Sequence, residues 1–95
     1  MKSVLKKQIE EMPEGEIRET LRREYLRRLV RYRMTDDFFK KKYEMDFENF
    51  EKKEIVKKKN FSFEVESDSQ EWELSIQGIK EVLKKLKELS DEDIS

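Results

Sequence analysis

The sequence predicts an all-α fold: an antiparallel hairpin of a long N-terminal-half helix and a C-terminal helix, with a short connecting helix and a short extended segment between them. Three observations lead there. Only two Gly and one Pro interrupt 95 residues, so little breaks a helix. Charged residues make up 47% of the chain but nearly cancel, at a net charge of -1, which favours elongated amphipathic helices over a self-repelling coil. The charge is also segregated. Lys and Arg against Asp and Glu number 13 to 9 in residues 1–45, 5 to 6 in 46–66 and 4 to 8 in 67–95. A first half at +4 and a last third at -4 favour antiparallel docking of the two ends, or a head-to-tail contact between copies.

At this length the chain is a single small helical domain over 1–95 with a small core. Residues 1–15 read as a short frayed helix with Val4, Leu5, Ile9 and Met12 at helical spacing, broken by Pro13-Glu14-Gly15. A long helix over 16–43 follows. Ile17, Leu21, Tyr25, Leu29 and Tyr32 lie within about 120° on a helical wheel, and Leu26 and Val30 widen that arc beyond half the circumference. A surface helix needs an apolar stripe of only about 100°, so an arc this wide predicts burial against two neighbours, one in the same chain and one in another. This helix either runs on through Phe38, Phe39 and Tyr43 or restarts at Met34-Thr35-Asp36-Asp37, where Thr35 or Asp36 can serve as N-cap.

A second helix is predicted over 47–58. With Asp46 as N-cap, Met45 and Phe50 occupy the two positions of a hydrophobic staple. Lys57-Lys58-Lys59 suits a helix C-terminus, and Asn60 stops it. Residues 61–66 alternate apolar and polar with period two, which predicts an extended linker or a strand added to a partner's sheet. Ser67 with Gln70 forms a capping-box pattern that opens the C-terminal helix over 68–90. Trp72, Ile76, Ile79, Val82, Leu83, Leu86 and Leu89 fall within about 140° on it, and Gly78 marks a close crossing. Residues 91–95 read as a disordered acidic tail.

Composition narrows the function. There is no Cys and no His, which removes disulfides, thiolate zinc sites and the commonest general base. No nucleophile–base pair stands out, no cofactor or metal site is implied, and the chain reads as a non-enzyme. It shows neither a signal peptide nor a membrane span, so a cytoplasmic location is expected. Asp68, Glu71 and Glu73 around Trp72 resemble a carboxylate cluster, but helix-start electrostatics accounts for them more simply.

The most pointed feature is the arginines. All seven lie between Arg18 and Arg33, while every other basic residue is lysine. Arginine binds carboxylate or phosphate in a planar fork, and it suits interfaces better than strongly hydrated lysine. Arg23, Arg27 and Arg31 form an i, i+4 row, although Glu19–Arg23 and Glu24–Arg28 are also spaced to pair within the helix. Arg23, Arg27, Arg31, Leu26 and Val30 are therefore the candidate partner-binding residues. Trp72 joins them as a potential anchor, its other reading being core. The aromatic middle third (Phe38, Phe39, Phe47, Phe50, Phe61, Phe63) reads as core and partner contact.

The order of features resembles small helical antitoxin-like proteins of prokaryotic type II toxin–antitoxin modules, common in archaea and thermophilic bacteria. The likeness spans about residues 16–90. It rests on a long charged helix ending in Tyr43-Glu44-Met45, then Asp46-Phe47-Glu48-Asn49-Phe50, a short acidic segment, and Asp68-Ser69-Gln70-Glu71-Trp72-Glu73 opening the last helix. Such proteins often carry Gly where this chain has Glu44, and glycine there would supply a left-handed helix terminus. The resemblance implies a protein that neutralises a cognate toxin by direct binding. Composition leaves two further functions open. One is a nucleic-acid-binding or autoregulatory protein using the basic first half, and the other is a structural module that forms a homodimer.

Overall fold

The computed structural model describes residues 3–94, with side chains described for residues 3–91. Five helices follow in order: α1 (Val4–Glu11), α2 (Glu14–Tyr43), α3 (Phe47–Lys52), α4 (Ile55–Lys58) and α5 (Phe63–Ile94). There is no strand among the described residues. α2 and α5 form the hairpin that the sequence predicts. Lys42 meets Glu64 and Asp68, Asp36 meets Trp72, and Tyr32 lies against Gly78, so rising number in one helix matches falling number in the other.

α2 begins at Glu14, two residues before the predicted start, because Pro13 stands at its N-cap and Gly15 is absorbed into the first turn. Glu14 and Glu16 in that turn and Lys40, Lys41 and Lys42 in the last one complement the helix dipole. The helix runs unbroken through Phe38 and Phe39. Thr35 does not cap a new start; its hydroxyl donates back to the Arg31 carbonyl at 3.2 Å. The helix ends at Glu44, which adopts the left-handed conformation (φ 56°, ψ 36°) despite carrying a side chain. The break is therefore as sharp as a glycine would make it.

Asp46 caps α3 as predicted, accepting from the Asn49 amide at 2.8 Å, and Met45 and Phe50 both join the aromatic core. The predicted single helix over 47–58 is instead two short ones, divided where Glu54 turns left-handed at φ 51°. The extended linker over 61–66 is not present. Asn60 and Phe61 form a left-handed turn (φ 54° and 52°), and α5 already starts at Phe63, with the Ser62 hydroxyl accepting from the Val65 amide at 3.3 Å. Alternation needs a paired strand to be useful, and none is offered here. On a helix, Phe63 and Val65 point to opposite sides, leaving Phe63 exposed and Val65 buried. Ser67 and Gln70 thus lie inside the helix and cap nothing. Helix continues through Ile94 where a disordered tail was expected, and Ser95 lies outside the described residues.

The core is concentrated at the loop end of the hairpin. Phe39, Phe47, Phe50, Val65 and Trp72 are buried together, with Tyr43, Met45, Ile55, Val56 and Ile76 packed against them. Towards the open end, Leu29 and Val82 are the buried apolar side chains among the described residues. The molecule is a slab of 55 × 35 × 17 Å with a radius of gyration of 18.5 Å, against about 13 Å for a compact chain of this size. Most side chains on such a slab have solvent on one side.

Candidate protein-docking face

Trp72 is 0% exposed. Its ring lies 5.1 to 5.9 Å, centroid to centroid, from those of Phe50, Phe47, Phe39 and Tyr43, and its N–H donates to Asp36 Oδ1 at 2.8 Å. Burial this complete removes Trp72 from the partner-binding set: it holds α2, α3 and α5 together and has no free surface. The Phe set divides similarly. Phe39, Phe47 and Phe50 are core, while Phe38, Phe61 and Phe63 are exposed.

Asp68 is part of an inter-helix clasp and not of a helix-start cluster. Lys42 Nζ donates to Asp68 Oδ2 at 2.6 Å and to Glu64 Oε1 at 2.8 Å, and the Tyr43 hydroxyl donates to the same Asp68 oxygen at 2.6 Å. Burial pushes the Asp68 carboxyl up, but the hydrogen bonds from Lys42 and Tyr43 outweigh it and hold the group below the usual carboxylate range. Burial, then the bond to Asp68, pushes the Tyr43 hydroxyl up to about 12. Bonds to Asp68 and Glu64 raise Lys42. Among the described residues no group of three or more His, Cys, Asp or Glu is placed to hold a metal ion. An open cleft of about 530 Å³ beside Phe47 and Ile76 is edged by Asp46, Glu48, Glu51 and Glu73.

The other candidates stay together at the surface of α2. Leu26 and Val30 are exposed, and the structure extends them with two residues that the wheel argument passed over. Leu26, Val30, Met34 and Phe38 form an i, i+4 row, each 46–66% exposed, on the side of α2 turned away from α5. At 1.5 Å per residue the row is about 18 Å long. Single exposed apolar residues are ordinary, but a continuous row on a helix is a recognition feature. The spacing was legible; which side of α2 the hairpin would cover was not.

Arg23, Arg27 and Arg31 each lie three residues before a member of that row, and all three are exposed. They form a basic edge along it. Glu24 pairs with Arg28 at 3.1 Å, as its spacing predicts, and also with Arg27 at 3.4 Å. Glu19 pairs with Arg22, not with Arg23. Arg23 and Arg31 have no ion-pair partner among the described residues. Phe38 packs edge-on against Phe39 at 5.2 Å, which connects one end of the exposed row to the core. α1 also shows an uncovered apolar side, with Val4, Leu5 and Ile9 exposed. No helix of the described residues is long and apolar enough to cross a membrane.

Against known proteins, the chain matches no family model, no curated protein and no solved structure. The reading of this face rests on its own chemistry.

Proposed function

We propose that this chain is a protein-binding regulator that docks its partner on the outer face of α2. The observation that carries the reading is the row Leu26, Val30, Met34 and Phe38, uncovered within the chain and edged by Arg23, Arg27 and Arg31. Apolar surface gives up about 25 cal/mol per Å² when it leaves water, so a continuous row rewards a covering partner. Arginines beside it fix orientation through carboxylates on that partner. The weakly packed open end of the hairpin supports the same reading, because a small core gains most from association.

The narrower proposal is antitoxin-like: the partner is a cognate toxin, neutralised by direct binding. Its support is the likeness carried by the Tyr43–Phe50 and Asp68–Glu73 segments. A second reading, nucleic-acid binding, is favoured by Arg23 and Arg31 having no ion-pair partner among the described residues, but the apolar row beside them suits a phosphate backbone poorly.

The test is gentle affinity purification from the native cell, with mass spectrometry and light scattering. The Val30→Gln/Met34→Gln variant is compared with Leu74→Gln, which removes an equally exposed apolar residue from α5. One protein held in fixed ratio by the wild type and by Leu74→Gln, but lost by the double variant, supports the reading. Retention by all three overturns it. For the antitoxin form, the captured protein should arrest growth when expressed alone, and co-expression of the wild-type chain but not the double variant should restore it.

A further inference from the structure

The outer face of α2 also constrains what can cover it. Resting on the protein-binding reading above, we infer that the occupant is an acidic amphipathic helix of another protein, its apolar stripe seated along Leu26, Val30, Met34 and Phe38 and its carboxylates on Arg23, Arg27 and Arg31.

Geometry and charge select this occupant over the alternatives within the chain. α1 is apolar on one side and immediately precedes α2, but its eight residues extend only about 12 Å, whereas Leu26 lies about 18 Å along α2 from Glu14. Folded back, α1 stops short of the row. A second copy's α2 would bring basic edge against basic edge, and like charges facing one another oppose association. A second copy's α5 offers no counter-stripe. Among its described residues the exposed large apolar ones are Phe63, Leu74 and Leu83; eleven and nine residues apart, they are too widely spaced to form an i, i+4 row.

What remains is complementary in shape and sign. An i, i+4 row of large side chains is a ridge that packs into the groove between ridges of a second helix. That helix needs apolar anchors at i, i+3 or i+4, and i+7. Its edge must be acidic, because the cations on this side have few partners of their own. Arg23 and Arg31 pair with none of the described residues, and Arg27 shares Glu24 with Arg28. A carboxylate arriving there displaces little.

The probe is a pair of fluorescein-labelled synthetic helical peptides of about 18 residues, matching the row in length. Both carry the same Leu and Ile stripe; one is flanked by glutamates, the other by lysines. Binding to the full chain is read by anisotropy. The glutamate peptide is expected to bind at least about tenfold tighter and to weaken with added salt. Val30→Gln/Met34→Gln should weaken it about tenfold, and Leu74→Gln should leave it unchanged, with circular dichroism confirming that each variant folds. Arg23→Glu/Arg27→Glu/Arg31→Glu should transfer the preference to the lysine peptide. Equal binding of the two peptides, binding of neither, or equal effects of the α2 and α5 variants overturns the inference, as does a homodimer by light scattering that the α2 variant dissolves. The native partner separates the two levels. If Val30→Gln/Met34→Gln releases that partner while the peptides show no charge preference, the acidic helix fails and the protein-binding reading stands. If the partner stays bound, the reading itself fails.

Discussion

The indole N–H of Trp72 donates to Asp36 Oδ1 at 2.8 Å, joining α2 to α5 across 36 residues of chain. Asp36 is buried at the contact, and its second oxygen meets Lys40 Nζ at 3.0 Å, one turn further along α2. The one tryptophan is thus fixed by aromatic packing on its faces and by a carboxylate at its edge.

Removing the acceptor leaves the indole N–H buried without a partner, which costs about 1–3 kcal/mol. Asp36→Ala should therefore lower stability by about that amount in urea titration, with the Trp72 fluorescence reporting the transition. Trp72→Ala removes the centre of the cluster and should cost about 3–5 kcal/mol, close to the whole stability of so small a domain.

A Cβ at Gly78 would stand 2.6 Å from the Tyr32 ring, so this glycine is a packing requirement. Gly78→Ala gains about 1 kcal/mol in helix propensity but must displace the ring, and the net effect should be a loss of about 1–2 kcal/mol. In a Tyr32→Ala background the same change should become stabilising. A double-mutant cycle measured by denaturant unfolding reads the difference directly.

Glu44 occupies a left-handed conformation that costs a residue with a side chain about 1–2 kcal/mol. Part of that gain is returned by the greater freedom of glycine in the unfolded chain. Glu44→Gly should raise stability by about 0.5–1 kcal/mol, seen as a higher urea midpoint at unchanged slope.

The clasp of Lys42, Tyr43 and Asp68 gives stability a shape in pH. The Asp68 carboxylate is held low, so its contribution is full above about pH 4 and is lost as pH falls through the lowered value. Tyr43 and Lys42 are both raised, so theirs is full below about pH 10 and is lost as pH rises beyond it. Thermal unfolding should show a plateau near neutrality that falls on both sides. Asp68→Asn should lower the plateau, remove the Asp68 part of the acid limb and flatten the alkaline limb only in part, because burial of Tyr43 and the Lys42–Glu64 pair remain.

α1 packs little against the rest, and Val4, Leu5 and Ile9 remain exposed. Deleting residues 1–12 should leave the midpoint of thermal unfolding within about 2 °C, because few buried contacts are removed. A larger fall would show that α1 contributes to the folded hairpin.

Several elements were legible because their causes lie within one turn of chain. Asp46 caps the Asn49 amide and Phe50 follows at the staple position, a pattern contained in six residues. Gly78 announced a close approach through its cost inside a helix, though not that Tyr32 would fill it. Two misreadings share one origin. The alternation of residues 61–66 and the box at Ser67 and Gln70 were valid local patterns, but α5 starts at Phe63 and overrides both, bringing Val65 into the aromatic cluster.

The sequence by itself determined the all-helical class, the antiparallel order of the long helices, the start of α3 and the concentration of arginine on one segment. These follow from period, capping and charge, which act between near neighbours or on average. Only the tertiary structure decided that Trp72 belongs to the core and that Leu26, Val30, Met34 and Phe38 do not. Which side of a wide apolar arc is buried depends on the register between two helices. That register is set by contacts such as Asp36 with Trp72 and Tyr32 with Gly78, which join residues far apart in the chain.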